Sequence, residues 1–439
     1  SVTDRRCTCA LRSSASRCVS CLRTSAVSSI AFKSSRDGSG RGRPAGNVEP
    51  GRERLSARMR IFHVMTHLRL GAGRAIVDLC REQRRRGHQV HLAVSADAEG
   101  TWASDGALLA ELEAHGVPVA CIGDVFHRDR FLLADAADAL RSLAGAWTDE
   151  TIAHAHTAMT GAVASWAGAR RIAVTCHGWN LRRPAEYDLQ DTLALSLAGG
   201  VISPSADWAG RLAALPGIDR VTVVPNGFDL ARYPPQARRP RMADAPRVIC
   251  VGELTRRKGQ DVLVQAMPLL WETWPGATLD LAGDGDMAAA LEQQAAMVDP
   301  DGGRIRLHGH VRDPYPLLGD ADVFCLPSRS DNQPVAIIEA MLAGLPVVST
   351  DVGGIPEMLA VPGAGETVPA ESVAALADAL RRQLMAPDEG ASASVEAFAR
   401  HAYGVPLMAD RIEAIYGSIG VTGPGTSGRE AVVDPLRPT

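Results

Sequence analysis

The sequence predicts an α/β fold: two doubly wound parallel-sheet domains facing a cleft, followed by C-terminal helices. Three observations predict it. Short apolar runs alternate with helix-period segments from residue 59 onward, and such alternation builds a parallel sheet with helices on both faces. The alternation stops once, in a Pro/Arg-rich stretch, and then restarts. The chain's 439 residues leave room for two domains of ordinary size plus tails.

Taken in order, residues 61–65 read as the first strand. Ala75, Ile76, Leu79 and Cys80 then recur at helical spacing up to Arg86, Gly87-His88 ends that helix, and 89–94 is the next strand. Residues 117–122, 151–156, 172–176, 200–203 and 221–224 are further short strands, with helical stretches between most of them. The stretch 233–246, from Tyr233-Pro234-Pro235 through Pro246, carries little apolar periodicity and reads as an interdomain linker. Strands resume at 248–251, 279–282, 305–308, 323–326 and 346–349, separated by helical segments such as 261–271 and 335–343. A first domain therefore spans 59–232 and a second 247–394. Helices follow over 395–419, and a Gly/Thr/Pro-rich tail over 420–439 is expected to be disordered.

Residues 1–58 differ in kind. They hold twelve Lys/Arg against four Asp/Glu, are rich in Ser, Arg and Gly, and show no hydrophobic period. Disorder is the expectation, and the stretch reads as a basic extension ahead of a start at Met59. It has no unbroken apolar segment of the signal-peptide kind. Cys7, Cys9, Cys18 and Cys21 fall here, too closely spaced and without the His that would make a zinc site. Cys80, Cys121, Cys176, Cys250 and Cys325 are scattered, mostly inside apolar segments, which suits a reducing cytoplasm with buried thiols. No run of eighteen apolar residues exists, so nothing is expected to span a membrane. A net charge of -4 argues against a nucleic-acid partner for the whole chain.

Ligands of doubly wound sheets bind outside the carboxyl ends of the strands, and the chemistry-bearing residues do follow strands. After 323–326 comes Pro327-Ser328-Arg329-Ser330-Asp331-Asn332-Gln333-Pro334 and then a helix carrying Glu339. A helix N-terminus behind a polar loop is an anion site, and a carboxylate inside the helix can accept two hydrogen bonds from vicinal hydroxyls. The alternative makes Asp331 the helix N-cap and Glu339 a solvated helix residue. Arg256, Arg257 and Lys258 follow the strand at 248–251, and Gly283-Asp284-Gly285 follows 279–282. In the first half, Gly71-Ala72-Gly73 sits between strand and helix. It lacks the third Gly of a dinucleotide fingerprint, with Ile76 in that place. His177 ends the strand at 172–176, and His154 and His156 lie at the end of 151–156. Two such His residues can bind a metal, but no carboxylate or Cys completes a set.

Glu339-Ala340-Met341-Leu342-Ala343-Gly344-Leu345-Pro346-Val347-Val348 resembles the donor-binding signature of retaining glycosyltransferase family 4, the glycosyl transferases group 1. That family has the GT-B fold of two Rossmann-like domains. Its signature places an acidic residue, seven others and a Glu ahead of this stretch, as Asp331 and Glu339 stand here. The resemblance implies that Glu339 holds the donor ribose, and that Asp331 and the backbone at Asn332, Gln333 and Pro334 face the sugar and diphosphate. Asp331 is one methylene shorter than the family's Glu. The loop Gly252-Glu253-Leu254-Thr255-Arg256-Arg257-Lys258-Gly259 resembles the family's diphosphate loop, with Lys258 matching and Glu253 standing where Arg is usual. Arg256 or Arg257 would supply the missing charge. Gly283 matches a turn near the base. Gly71 and Gly73 match a loop near donor phosphate or acceptor. The resemblance puts His177 near the donor sugar and His156 on the acceptor side. Pro225-Asn226-Gly227 matches a turn at the domain junction.

The resemblance covers about 59–417 and implies a retaining, metal-independent transfer from a nucleotide-diphosphate sugar, with Asp331, His177 and Lys258 as catalytic residues. UDP is the family's widely used base, no cofactor is expected, and the acceptor class spans glycan, lipid-linked and small-molecule hydroxyls. Two other readings share the architecture: a non-catalytic binding protein, favoured by Glu253, and a nucleotide-sugar 2-epimerase. Arg81, Arg84, Arg85, Arg86 and Arg182-Arg183 suggest peripheral membrane association of an otherwise cytoplasmic protein.

Overall fold

The computed structural model describes residues 58–95, 104–178, 185–218, 220–236, 244–385 and 389–419. The expectations for the basic N-terminal stretch, for Arg182-Arg183, for the middle of the linker and for the tail fall outside these residues.

The first half runs β1 (Arg60–Met65), α1 (Leu70–Arg85), β2 (Gln89–Val94), α2 (Gly106–Ala114), β3 (Val119–Cys121), α3 (Arg130–Ala144), β4 (Thr151–Ala155), α4 (Ala158–Trp166), β5 (Ile172–Thr175), α5 (Ala185–Ser196), β6 (Gly200–Ser203), α6 (Ala206–Ala213) and β7 (Val221–Val223). Its seven strands pair in parallel in the order β3-β2-β1-β4-β5-β6-β7. The second half runs β8 (Arg247–Val251), α7 (Gln260–Trp271), β9 (Thr278–Ala282), α8 (Ala288–Val298), β10 (Ile305–Leu307), α9 (Tyr315–Gly319), β11 (Val323–Leu326), α10 (Val335–Leu342), β12 (Val347–Thr350), α11 (Ile355–Met358), β13 (Gly365–Val368), α12 (Val373–Met385), α13 (Glu389–Ala402) and α14 (Val405–Ser418). Its six parallel strands are ordered β10-β9-β8-β11-β12-β13.

Helices cover both faces of each sheet, so the strands read as continuous apolar runs: every residue of β4, β5, β11 and β12 is buried. Local chemistry starts the helices. Thr157 and Thr160 form a reciprocal capping box at α4, and Asp129 caps α3. In each sheet the order reverses once, between β1 and β4 and between β8 and β11. Those two switch points are where a doubly wound sheet opens a crevice.

One boundary and one strand differ from expectation. The cut at residue 394 falls inside α13, which packs with α10 of the second half. β13 follows no apolar run and was not anticipated from sequence. The last helix also returns to the first sheet: Met408, Ala409, Ile412 and Tyr416 of α14 pack in one buried cluster with Ile61, Leu79, Ile152 and Ile202.

Candidate functional site

At the β8/β11 switch point, two loops meet. The loop after β8 closes in a 3-10 turn over Arg256–Lys258, and Gly259 (φ +72) then starts α7 with no side-chain cap. A Cβ at Gly259 would overlap the Pro327 carbonyl, so only glycine lets the two loops touch there. The contact brings Lys258 Nζ to 2.6 Å from Asp331 Oδ2, with Arg257 Nη1 at 3.3 Å from Oδ1. Ser328 Oγ donates to Asp331 Oδ2 at 3.0 Å. Burial pushes the Asp331 carboxyl up, but Lys258, Arg257 and the Ser328 hydroxyl outweigh it and hold the group below its usual range.

The choice left open between the two arginines narrows here. Both arginines are exposed, but Arg257 turns toward Asp331 and donates to the Ser330 carbonyl. Asp331 is not a helix cap, because the N-cap of α10 is Pro334, with no side-chain cap bond. No cap-residue side chain takes the backbone N–H groups at the starts of α7 and α10, where Val262 N–H bonds the Gly259 carbonyl and Ile337 N–H the Pro334 carbonyl. Arg329 is structural, making two bonds to Asp261 (2.7 and 2.8 Å) and one to Glu371. Gly283 packs its backbone against Gly252, holding the loops after β8 and β9 together. Asp284 accepts from the Gly285 N–H.

Glu339 lies in α10 at the edge of this site. Tyr233 Oη donates to Glu339 Oε1 at 3.2 Å. Burial pushes the Glu339 carboxyl up to about 7, against the Tyr233 hydrogen bond. The expected linker thus contributes a buried tyrosine to the site.

The side chains of Asn332 and Gln333 face the first half of the molecule. Asn332 Nδ2 donates to the His177 carbonyl at 3.1 Å, and its Oδ1 accepts from Ser205 Oγ. Gln333 Oε1 accepts from the Asn226 N–H at 2.7 Å. These amides therefore clamp the two halves together, and only the backbone of Asn332–Pro334 is left for the role implied by the resemblance. Glu357 reaches across as well, accepting from the Ala206 N–H at the start of α6 at 2.9 Å.

Three first-half expectations are corrected. Gly71 and Gly73 do not form a loop between strand and helix, because α1 already begins at Leu70. Gly71 serves packing: a Cβ there would lie 2.7 Å from Val335 Cβ and closer still to its Cγ2, so its absence lets α1 approach α10. His156 does not line the cleft. It is 4% exposed, with Nε2 2.9 Å from His63 Nδ1 and Nδ1 3.3 Å from His177 Nε2.

Sequence reasoning missed His63, which lies beside His154 in the β1/β4 register. Ring nitrogens of His63, His154 and His156 come within 4.8 Å of one another, as in a metal centre. Every one of their six nitrogens already has a hydrogen-bond partner, however, His154 being held by Thr175 Oγ1 and Tyr416 Oη. Burial lowers His63 and His177 to about 4, so both are neutral near pH 7.

Of the arginines expected to meet a membrane, Arg81, Arg85 and Arg86 make ion pairs within the fold, whereas Arg84 is exposed and donates to the His88 carbonyl at 3.5 Å. Arg81 pairs with Glu111 at 3.1 Å, Arg85 with Glu82 at 2.7 Å, and Arg86 with Glu82 and Asp410 at 2.8 and 2.6 Å. Among the described residues no helix is long and apolar enough to cross a membrane.

Residues 70–232 match the family described as Glycosyltransferase Family 4, and residues 245–385 match Glycosyl transferases group 1. A glycogen synthase of Mycobacterium tuberculosis is 35% identical over 195 residues, covering 43% of this chain and 46% of that protein. The chain thus spans about half the length of that relative. A GDP-mannose-dependent α-(1-6)-phosphatidylinositol monomannoside mannosyltransferase of Mycolicibacterium smegmatis is 29% identical, over 59% of this chain and 73% of that one. The crystal structure of Anabaena HepE in complex with UDP and glucose superposes with a TM-score of 0.66, covering 82% of this chain and 100% of that chain, at 22% identity. That likeness is one of fold. The two family matches take in β2 to β7 of the first sheet, the whole second sheet, the loops that carry Lys258 and Asp331, and the helix that carries Glu339, and the chain belongs to the family 4, group 1 glycosyltransferases of GT-B fold.

Proposed function

We propose that the protein is a retaining, metal-independent glycosyltransferase that moves a sugar from a nucleotide-diphosphate donor to an acceptor hydroxyl. The observation that carries this reading is the meeting of Lys258, Arg257 and Asp331 at the β8/β11 switch point, beside the uncapped starts of α7 and α10. Two cations and two helix N-termini supply the positive field that a leaving diphosphate needs, the task a metal performs elsewhere. Glu339 takes the ribose hydroxyls, Asp331 the sugar hydroxyls, and His177 lies against the sugar from the other half. The relatives named for GDP-mannose and glycogen chemistry support a hexose donor. UDP is the proposed donor nucleotide, in keeping with the UDP named for HepE.

In the step itself the bond from sugar C1 to the diphosphate oxygen breaks, and the acceptor oxygen bonds C1 from the same face. The acceptor proton passes to a leaving phosphate oxygen, so no strong protein base is required. The acceptor is a hydroxyl of a glycan, a lipid-linked precursor or a small molecule. A cytoplasmic setting belongs to this reading, supported by the buried free thiols of Cys80, Cys250 and Cys325.

The test is transfer in EDTA. The full chain is incubated with UDP-, GDP- and ADP-hexoses and an acceptor panel, and the anomeric coupling of the product is read by proton NMR. The reading predicts an α-linked product from an α-donor. A β-linked product, a strict metal requirement, or release of free epimerised sugar without acceptor would each overturn it.

A further inference from the structure

Beneath the His177 loop runs an unbroken chain of buried side chains. Gln83 of α1 is fully buried, as is His63 of β1. Gln83 Oε1 lies 2.8 Å from His63 Nε2, His63 Nδ1 lies 2.9 Å from His156 Nε2, and His156 Nδ1 lies 3.3 Å from His177 Nε2. The rings stack, His63 on His156 at 16° and His156 on His177 at 21°. The chain ends at His177 Nδ1, a buried nitrogen with no partner among the described residues.

A neutral imidazole has one N–H and one bare nitrogen, so each link fixes the next. Gln83 Nε2 donates to Tyr416 Oη at 3.3 Å, which turns the amide oxygen toward His63. His63 Nε2 must then carry the proton, leaving Nδ1 bare. His156 Nε2 therefore donates to it, and its own bare Nδ1 accepts from His177 Nε2. The bare nitrogen of His177 is the unpartnered one, directed away from the chain. A buried acceptor without a donor is costly, and one held at a ligand site calls for a ligand N–H or O–H. A phosphate oxygen would be repelled by its lone pair, whereas a sugar hydroxyl would satisfy it.

We propose that Gln83, His63 and His156 are positioning residues that lock His177 in the Nε2–H tautomer, so that Nδ1 accepts a hydrogen bond from a hydroxyl of the transferred sugar. This rests on the donor reading above. It assigns a polarity to the contact and a function to three buried residues that never touch the ligand. Reversing the Gln83 amide would reverse every proton in the chain, so the claim is sharp.

The full chain labelled with ¹⁵N-histidine reports the tautomers directly. The expected spectrum has His63, His156 and His177 all as Nε2–H, and Nδ1–H at His177 would overturn the proposal. UDP-, GDP- and ADP-glucose, each compared with its own nucleotide, should include one pair in which only the sugar-bearing ligand moves the bare Nδ1 resonance. Movement by nucleotide alone, or by none of the six, would overturn the hydroxyl contact. Gln83→Leu removes the acceptor, should populate Nδ1–H at His63 and His177, and should raise the donor KM about tenfold with kcat within about twofold. Gln83→Glu keeps an acceptor oxygen and should restore both readouts. Unchanged tautomers in Gln83→Leu would overturn the relay, and if that variant does not fold the wild-type spectrum decides. Cobalt absorption bands from a site at His63, His154 and His156 would also overturn it, since a metal takes the lone pairs. A chain with this tautomer pattern that transfers no sugar would sink the transfer reading instead.

Discussion

Asp331 and Glu339 stand eight positions apart, yet their surroundings push them in opposite directions. Asp331 is held ionised by Lys258 and Arg257, whereas Glu339 is raised by burial to about 7. A ribose-holding carboxylate accepts best when ionised, so donor affinity should climb as pH rises through about 7. Glu339→Gln should bind donor about tenfold more weakly and lose that climb, which calorimetric titration at several pH values would check. The same shift has a stability sign. The folded state holds the Glu339 proton between 4.5 and about 7, where the unfolded chain has released it. This group's contribution to stability therefore falls as pH rises through that window, and Glu339→Gln should flatten the slope of Tm against pH. Lys258→Met leaves Asp331 with Arg257 as its one charged partner beside the Ser328 hydroxyl. It should lower turnover by about 10²–10³-fold and also lower Tm. Lys258, Asp331 and Glu339 were legible because their motifs are contiguous in sequence. Tyr233 was not: it meets Glu339 across 106 positions, from a stretch whose prolines mark only a linker. His63 was hidden likewise, because an inward-facing histidine in a strand looks like any alternating residue until its neighbour strand is known.

At the scale of elements, apolar runs of four to six residues located most strands within a residue or two, because strands buried on both faces leave a continuous signal. β13 escaped because Gly365-Glu366-Thr367-Val368 has no such run and pairs only at the sheet edge. The start of α1 was misplaced because Gly71 and Gly73 are turn residues by local chemistry, while in the fold they pack. Gly71→Ala separates the two accounts. In an exposed helix it would stabilise by up to about 1 kcal/mol. Here the added methyl meets Val335, so Tm should fall and donor KM rise, and Val335→Ala in the same chain should recover much of both. If the single variant were neutral, α1 and α10 would not approach as described.

Over the whole molecule, the two halves are joined by more than the stretch between β7 and β8. α14 crosses back to pack on the first sheet, Asn332 and Gln333 bond across the cleft, and Glu357 caps α6 from the opposite side. Such contacts hold the loops of Lys258, Asp331 and His177 against one another, the arrangement that excludes water from a reacting donor. The two-sheet plan was readable from alternation alone, but the crossing of α14 was not, since a terminal amphipathic helix does not declare which half it covers. The central claim is that the β8/β11 crevice binds a nucleotide diphosphate without a metal. Calorimetric titration of the full chain with UDP, GDP and ADP in EDTA tests it most directly, alongside Glu339→Ala with its fold checked by circular dichroism. One nucleotide should bind saturably to the parent chain, and Glu339→Ala should weaken that binding about tenfold or more. Binding of none by a folded protein, or equal binding by the variant, would contradict it.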